Sequence, residues 1–422
     1  MAGGERAVEY NLQAAEAAIA AAAFDEGAAR LASALELGIG DASKRARIQI
    51  ERGWLLAEIG RLTDARALFH QAHETATRLG DRGLAAHARV EAALQARRFS
   101  VFDVEELRAT ALEAIDALTE LRDARGLADA RYLLAITYDT GNGRYGAAPA
   151  ELEQALVDAV ASGEALIRSR IVARLLMNLT SGPTPAEEAI RRCEELRRAS
   201  NGQPVLEAKI ERCLSQLCAM AARPDEAREH ETQASAVLDQ LPYADEVASR
   251  RFAAQTHLLL GDTAAAERQL LAMWQYFGGA SDGARNQQSV FTASMLALFC
   301  CDEGRWDDAE HWHSCAVGVP VPSGNPVAML RPATGARVAA HRGELGEAVA
   351  LARCAVEVAE QTDSLNWRAR VWLALAEVMR TCGETEEADA AVETAIQLYE
   401  QKGNVAAAAR VRAAAQEAAQ AS

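Results

Sequence analysis

Apolar and polar positions along the chain follow a helical rhythm, interrupted at regular intervals by a glycine or alanine. Counted from such a break, a small residue stands at +5, a bulky one at +9 and a second small one at +12, so that Gly60 is followed by Ala65, Phe69 and Ala72. The frame returns at Gly143 (Ala148, Leu152, Ala155) and Gly261 (Ala266, Leu270, Met273), then at Gly304, Gly343 and Gly383. Alanine takes the place of the glycine at Ala22 and Ala222, a looser copy starts at Thr184 with Ala189, Cys193 and Leu196, and an irregular one falls near residues 98–115. From Ala22 to Gly383 the steps average about 40 residues, which predicts about ten helical hairpins.

Each position in the frame has a physical role. A helix ending at the break needs a residue that tolerates positive φ, which glycine does at least cost. Small residues at +5 let neighbouring helices approach, and +9 and +12 fall on the same helical face. Thr63-Asp64, Asp225-Glu226 and Asp307-Asp308 are expected to cap the following helices. The small-bulky-small order resembles the second half of the tetratricopeptide (TPR) pattern, although the period is longer than the 34 residues usual there. The expected fold is therefore all-α, an α-α superhelix of TPR-like hairpins. It is expected as one solenoid, with N-terminal repeats in 1–140, central repeats in 141–277, and C-terminal repeats with a capping helix in 290–422.

Composition agrees with helix: alanine, leucine, glutamate and arginine dominate, and no convincing period-2 strand occurs. A chain of 422 residues ordinarily divides into two or three domains, but repeat arrays escape that limit. The net charge of −16 excludes a broad basic footprint for nucleic acid. Eight cysteines without a CxxC pair read as reduced, cytoplasmic thiols. The first residues show no signal-peptide pattern, and no stretch is long and apolar enough to span a membrane.

The segment from His341 to Ala413, HRGELGEAVALARCAVEVAEQTDSLNWRARVWLALAEVMRTCGETEEADAAVETAIQLYEQKGNVAAAARVRA, and the opening GERAVEYNLQAAEAAI resemble the TPR region that follows the ATPase module in bacterial ATPase-linked adenylate/guanylate cyclases and LuxR-type regulators. In that family the repeats are thought to sense a ligand or partner while the catalytic or DNA-binding module lies elsewhere. This chain contains no GxxxxGK[ST] loop, cyclase-like segment or helix-turn-helix, so the resemblance implies a sensor region or a stand-alone relative.

One polar pattern recurs at equivalent repeat positions. Arg174, Arg212 and Arg251 stand ten residues before successive breaks, and Asn178, Gln216 and Gln255 six before. Each arginine and amide are i and i+4, on one helical face. The offsets match groove-facing positions of carboxylate-binding TPR proteins, and arginine forks with amides suit an anionic group on a peptide or protein partner. The plain alternative is a solvated polar face. His311, His313 and Cys315 have a spacing that could hold zinc, but ordinary helix packing is the expectation, and no metal or cofactor is assigned. Cys213 with Cys218 and Cys300 with Cys301 are expected as buried apolar thiols and not as redox pairs. The proline-rich run Val317–Gly335 and the polar run Gly278–Ser289 are lids or spacers, and Thr137–Gly146 is a hairpin turn that lacks the lysine of a phosphate loop. Most of the six tryptophans are expected in helix packing.

The function expected is non-enzymatic: a TPR-like scaffold that takes a peptide or protein segment in its concave groove, within a bacterial signalling or transcription-regulating system. The alternative is a small-molecule-sensing domain of an ATPase-linked regulator. No paired carboxylates or nucleophile with a base occur at convincing spacing for catalysis, and the sequence leaves a homo-oligomer open.

Overall fold

The computed structural model describes residues 2–21, 23–96, 103–163, 165–199, 203–241, 244–277 and 287–421. The expected break at Ala22, the start of the irregular repeat at residues 98–102 and most of the polar run Gly278–Ser289 lie outside them. Among the described residues there is no strand, and helices follow one another with short connections. The fold is the all-α, TPR-like helical array expected from the repeat frame.

The chain divides into two compact units. The first comprises Met1–Leu134, Glu151–Arg168 and Pro242–Asp245. It carries α1 (Ala2–Ala20), α2 (Phe24–Glu36), α3 (Ala42–Glu58), α4 (Leu62–Leu79), α5 (Arg82–Ala96), α6 (Val104–Leu121), most of α7 (Ala124–Ile136) and most of α8 (Ala148–Ser162). The second comprises Ala135–Ala150, Ser169–Leu241 and Glu246–Ser422. It carries most of α9 (Ala165–Ser181) and of α13 (Ala244–Leu260), with α10 (Ala186–Arg198), α11 (Pro204–Met220), α12 (Pro224–Leu238), α14 (Thr263–Phe277), α15 (Gln287–Asp302) and α16 (Trp306–Ala316). It ends with α17 (Val327–His341), α18 (Leu345–Ala359), α19 (Leu365–Thr381), α20 (Thr385–Lys402) and α21 (Val405–Ala421).

Within each unit consecutive helices pair and each pair packs on the next, as α3 with α4, α11 with α12 and α19 with α20. The repeat frame is what the pairs bury. Ala65, Phe69 and Ala72 have no exposed surface, nor have Ala148, Leu152 and Ala155, or Ala266, Leu270 and Met273. Alanine at +5 and +12 lets the backbones close on each other while the bulky +9 side chain fills the gap between helices.

The glycine breaks take the left-handed conformation, from Gly60 (φ 82°) to Gly383 (φ 82°). Ala222 adopts it too (φ 58°), at the steric cost of its Cβ. The expected caps are a correction: the side chains of Asp64, Asp225 and Asp307 accept no capping bond, because they fall inside the first turn. The N-cap positions are held by Arg61, Arg223 and Arg305. Each of these arginines instead pairs with an acid three residues on, Asp64, Glu226 and Asp308. The acids thus act on the helix's positive end through charge and not through a cap.

The second unit returns upon itself. Lys402, at the end of α20, is wholly buried and donates to the Leu179 and Thr184 carbonyls at 2.7 and 2.6 Å. Burial lowers its pKa to about 8. The turn after α7 forms a π-helical segment, Thr137–Gly141, and docks on two later loops of the unit. Asp363 accepts from the Tyr145 and Gly146 amides, and Gly324 N donates to the Gly141 carbonyl at 3.1 Å. Gly324 is required there, because a Cβ would stand 2.1 Å from the Gly143 nitrogen. The proline-rich run is irregular only as far as Pro326. From Val327 it is helix α17, with Pro332 inside it.

Candidate functional site

In the second unit the residues six before successive breaks, from Thr184 to Gly383, are buried or half-buried, and the row extends beyond the three hairpins in which the sequence shows it. Asn178, Gln216 and Gln255 are followed by Leu298, Arg337 and Glu377. Gln216 Nε2 hydrogen-bonds to Gln255 Oε1, and Arg337 pairs with Glu377 at 2.9 Å. The same offset, applied to Gly304, Gly343 and Gly383, is the signal by which the later members could have been found.

The arginines of the expected ladder do not line a common groove. Arg174 is buried against Asp139, which has no exposed surface, and donates from Nε to its Oδ2 at 2.8 Å. Asn178 donates to the same carboxylate at 3.0 Å. Arg212 is 1% exposed and donates to Ser235 and Asp239 at 2.9 Å, with Glu231 at 3.2 Å. Arg251 is half-buried and lies 4.4 Å over the Phe252 ring. The reason is local: the π-helical turn brings a carboxylate to Arg174, and α12 with its C-terminal end brings two to Arg212, and a buried guanidinium is tolerable only when so paired. Of the six residues, the structure brings Gln216 and Gln255 together at a cavity wall and gives Arg174, Asn178 and Arg212 internal work.

That cavity encloses about 80 Å³ within a cleft of about 640 Å³, bounded by α9, α11, α13, α15, α19 and α21. Its apolar wall is built by Met220, Leu258, Leu259, Met295 and Trp367, and its polar wall by Gln216, Gln255, Asn366, Asn404, Arg370 and Arg410. Gln216 is 2% exposed, and its Oε1 receives no hydrogen bond. A buried amide oxygen left without a donor costs about 1–3 kcal/mol, which a ligand N–H would recover.

The charges at the cavity are unequal. Arg370 and Arg337 share Asp302, the second at 2.7 Å. Enclosure alone would raise the Asp302 carboxyl, but the two guanidiniums outweigh it and hold it below its ordinary range. Arg410 stands on the rim, its Nη1 donating to the Leu258 carbonyl at 2.7 Å. Among the described residues no carboxylate pairs with it, and its pKa is lowered by the protein packed around it and by Arg370. Three arginines therefore face two acids, Asp302 and Glu377. Tyr399 completes the wall with its hydroxyl pushed up by burial.

Other expectations resolve simply. His313 packs at +9 with Nδ1 3.1 Å from Thr334 Oγ1, and burial lowers its pKa, while His311 stacks edge-on against Trp312. The thiols of Cys300 and Cys301 are pushed up to about 11 and about 12, first by burial. Cys213 faces Cys193 at 3.5 Å, not Cys218. Trp367 is 8% exposed and edge-on to Phe291, and the other tryptophans are partly buried.

No protein-family model matches the chain, and no curated protein matches it in sequence. Solved structures do match. A Rap protein complexed with competence and sporulation factor shares 14% identity over 85% of this chain and 99% of its own, with a TM-score of 0.56. A monomeric mutant of IFIT1 with m7Gppp-AAAA shares 14% over 93% and 90%, at a TM-score of 0.48. The TPR domain of P58(IPK) shares 14% over 97% and 99%, at 0.23. The Rap likeness shows the fold, a TPR-like helical repeat. No described helix is long and apolar enough to cross a membrane.

Proposed function

We propose that the chain is a non-enzymatic, regulatory interaction protein whose second unit takes a short peptide or an extended protein segment bearing an anionic group. The observation that carries this is the cavity wall where, among the described residues, Gln216 Oε1 has no donor and Arg410 no carboxylate, beside an apolar patch at Trp367. A peptide supplies all three complements: a backbone N–H, a carboxylate and an apolar side chain. The Rap protein of this fold was solved with competence and sporulation factor, which is in keeping with that reading. The resemblance of His341–Ala413 to the repeats of ATPase-linked cyclases and LuxR-type regulators supports reading the role as one in bacterial signalling, in the cytoplasm. An extended segment is preferred over a small inducer because about 80 Å³ of enclosed space is well below the roughly 300–1,000 Å³ of small-molecule pockets.

The test is fluorescence polarisation with labelled six- to eight-residue peptide pools made with free or amidated C-termini and with or without acidic side chains. Anionic pools are expected to bind about 10-fold or more tightly than neutral ones, with the difference lost in Arg410→Glu. Equal binding of both pools, or anionic binding indifferent to Arg410→Glu, removes this site.

A further inference from the structure

In the first unit α3, α5 and α7 each follow an aspartate, Asp41, Asp81 and Asp123, whose Oδ1 accepts from amides of the first turn: Ser43 and Lys44, Leu84, and Gly126. Two residues past the first two aspartates the repeats differ. Ser43 extends its hydroxyl to the next cap, Asp81 Oδ2, at 3.4 Å. The corresponding residue one hairpin on is Gly83, which has no side chain to offer, and Asp123 Oδ2 accepts no hydrogen bond among the described residues. A cavity of about 320 Å³ opens there, lined by Asp81, Gly83, Leu84 and Asp123 and, from α3, by Arg47. A Cβ on Gly83 would stand 3.8 Å from both Asp81 Oδ1 and Asp123 Oδ2, so the two carboxylates converge over it. We propose that this cavity binds a free zwitterionic α-amino acid with an apolar side chain, its ammonium between Asp81 and Asp123 and its carboxylate on Arg47.

Size, charge and polarity each narrow the ligand. The volume falls at the lower end of the roughly 300–1,000 Å³ of small-molecule pockets, and at about 30 Å³ per water it accommodates about ten non-hydrogen atoms, the size of an amino acid. A pure anion would face Asp81 and Asp123 unmatched. A pure cation would face Arg47, which is exposed and pairs with no carboxylate among the described residues. A solute carrying both charges satisfies both sides. Leu84 and Leu121 form the apolar wall, and Leu121 is 49% exposed, surface that an aliphatic side chain would cover. The preceding hairpin shows what happens without a ligand: a hydroxyl two residues past the cap takes the next carboxylate oxygen, whereas glycine at that place leaves the oxygen open to the cavity.

The experiment titrates the full chain by calorimetry with L-leucine, L-valine and L-methionine and with two half-ligands, isocaproate and isoamylamine, while thermal unfolding is followed alongside. One amino acid per chain is expected to bind, to raise the unfolding midpoint, and to bind about 10-fold or more tightly than either half-ligand. Asp123→Asn keeps the cap, since asparagine caps as well as aspartate, and removes the charge. Gly83→Ser rebuilds the Ser43–Asp81 contact one hairpin on and fills the gap, with the half-exposed Leu121, whose Cδ1 is 3.1 Å from the added Cβ, able to turn aside. Each substitution is expected to weaken binding about 10-fold or more with the circular dichroism spectrum unchanged. Failure of all three amino acids to bind overturns the assignment, as does a half-ligand binding as tightly as leucine or binding unaltered in either variant. If Gly83→Ser does not fold, Asp123→Asn decides the matter.

Discussion

Two pairs of arginines in the second unit do opposite things. Arg174 and Arg212 sit in helix interiors, nearly dry, and donate inward to Asp139, Asp239, Glu231 or hydroxyls. Arg370 and Arg410 face the cavity, the first sharing a carboxylate with Arg337 and the second pairing with no carboxylate among the described residues. The first pair holds the repeats together, and the second leaves positive charge available. What separates them physically is the number of acids that the neighbouring turns deliver.

Removing a buried arginine gives the largest expected effect. Arg212→Ala takes the guanidinium from Glu231, which keeps Ser235, and from Asp239, which keeps Arg250, and the unfolding free energy of the second unit, measured in urea, is expected to fall by about 3–5 kcal/mol. A fall below about 1 kcal/mol would mean that this pair resembles the rim pair after all. Gly324→Ala should cost about 3 kcal/mol, because its Cβ meets backbone at Gly143 and not a side chain that can rotate away. The turn at Thr137–Gly141 that supplies Asp139 to Arg174 would then be undocked, and Arg174 should lose protection with it.

Lys402 tests the same principle with a titration. Its pKa falls from 10.5 unfolded to about 8 folded, so between these values the unfolded chain holds the extra proton. Stability contributed by this residue therefore rises as pH increases from about 8 to about 10.5 and is lost as pH falls back through 8. The difference in unfolding free energy between wild type and Lys402→Met is expected to change by about 2–3 kcal/mol over that window. A flat difference would show that the ammonium is solvated. The smallest effect on folding belongs to the rim: Arg410→Glu should alter stability by no more than about 0.5 kcal/mol while abolishing the preference for anionic peptides. If it destabilises as Arg212→Ala does, the contrast between the pairs collapses.

Much of the site was legible in part. The offset of six residues before each break identifies Gln216 and Gln255, because a repeat fixes which helical face turns inward. The offset of ten identifies Arg212 as a special position but misreads its purpose, because Asp239 and Glu231 approach from α12 and beyond. Arg370, Arg410 and Asn404 were not legible. Arg370 lies outside both offsets, and Arg410 reaches the cavity only because α21 returns to α11.

The sequence by itself determined the helices, the repeat and its breaks. These depend on interactions within about twelve residues, where small, bulky and small side chains and a left-handed residue leave little choice. Tertiary structure alone decided which charges are paired. Ring closure through Lys402 and Asp363 joins residues more than two hundred positions apart, and no local pattern encodes which carboxylate meets which guanidinium. The surplus charge at Arg410 is a product of that closure, and with it the surface offered to a partner.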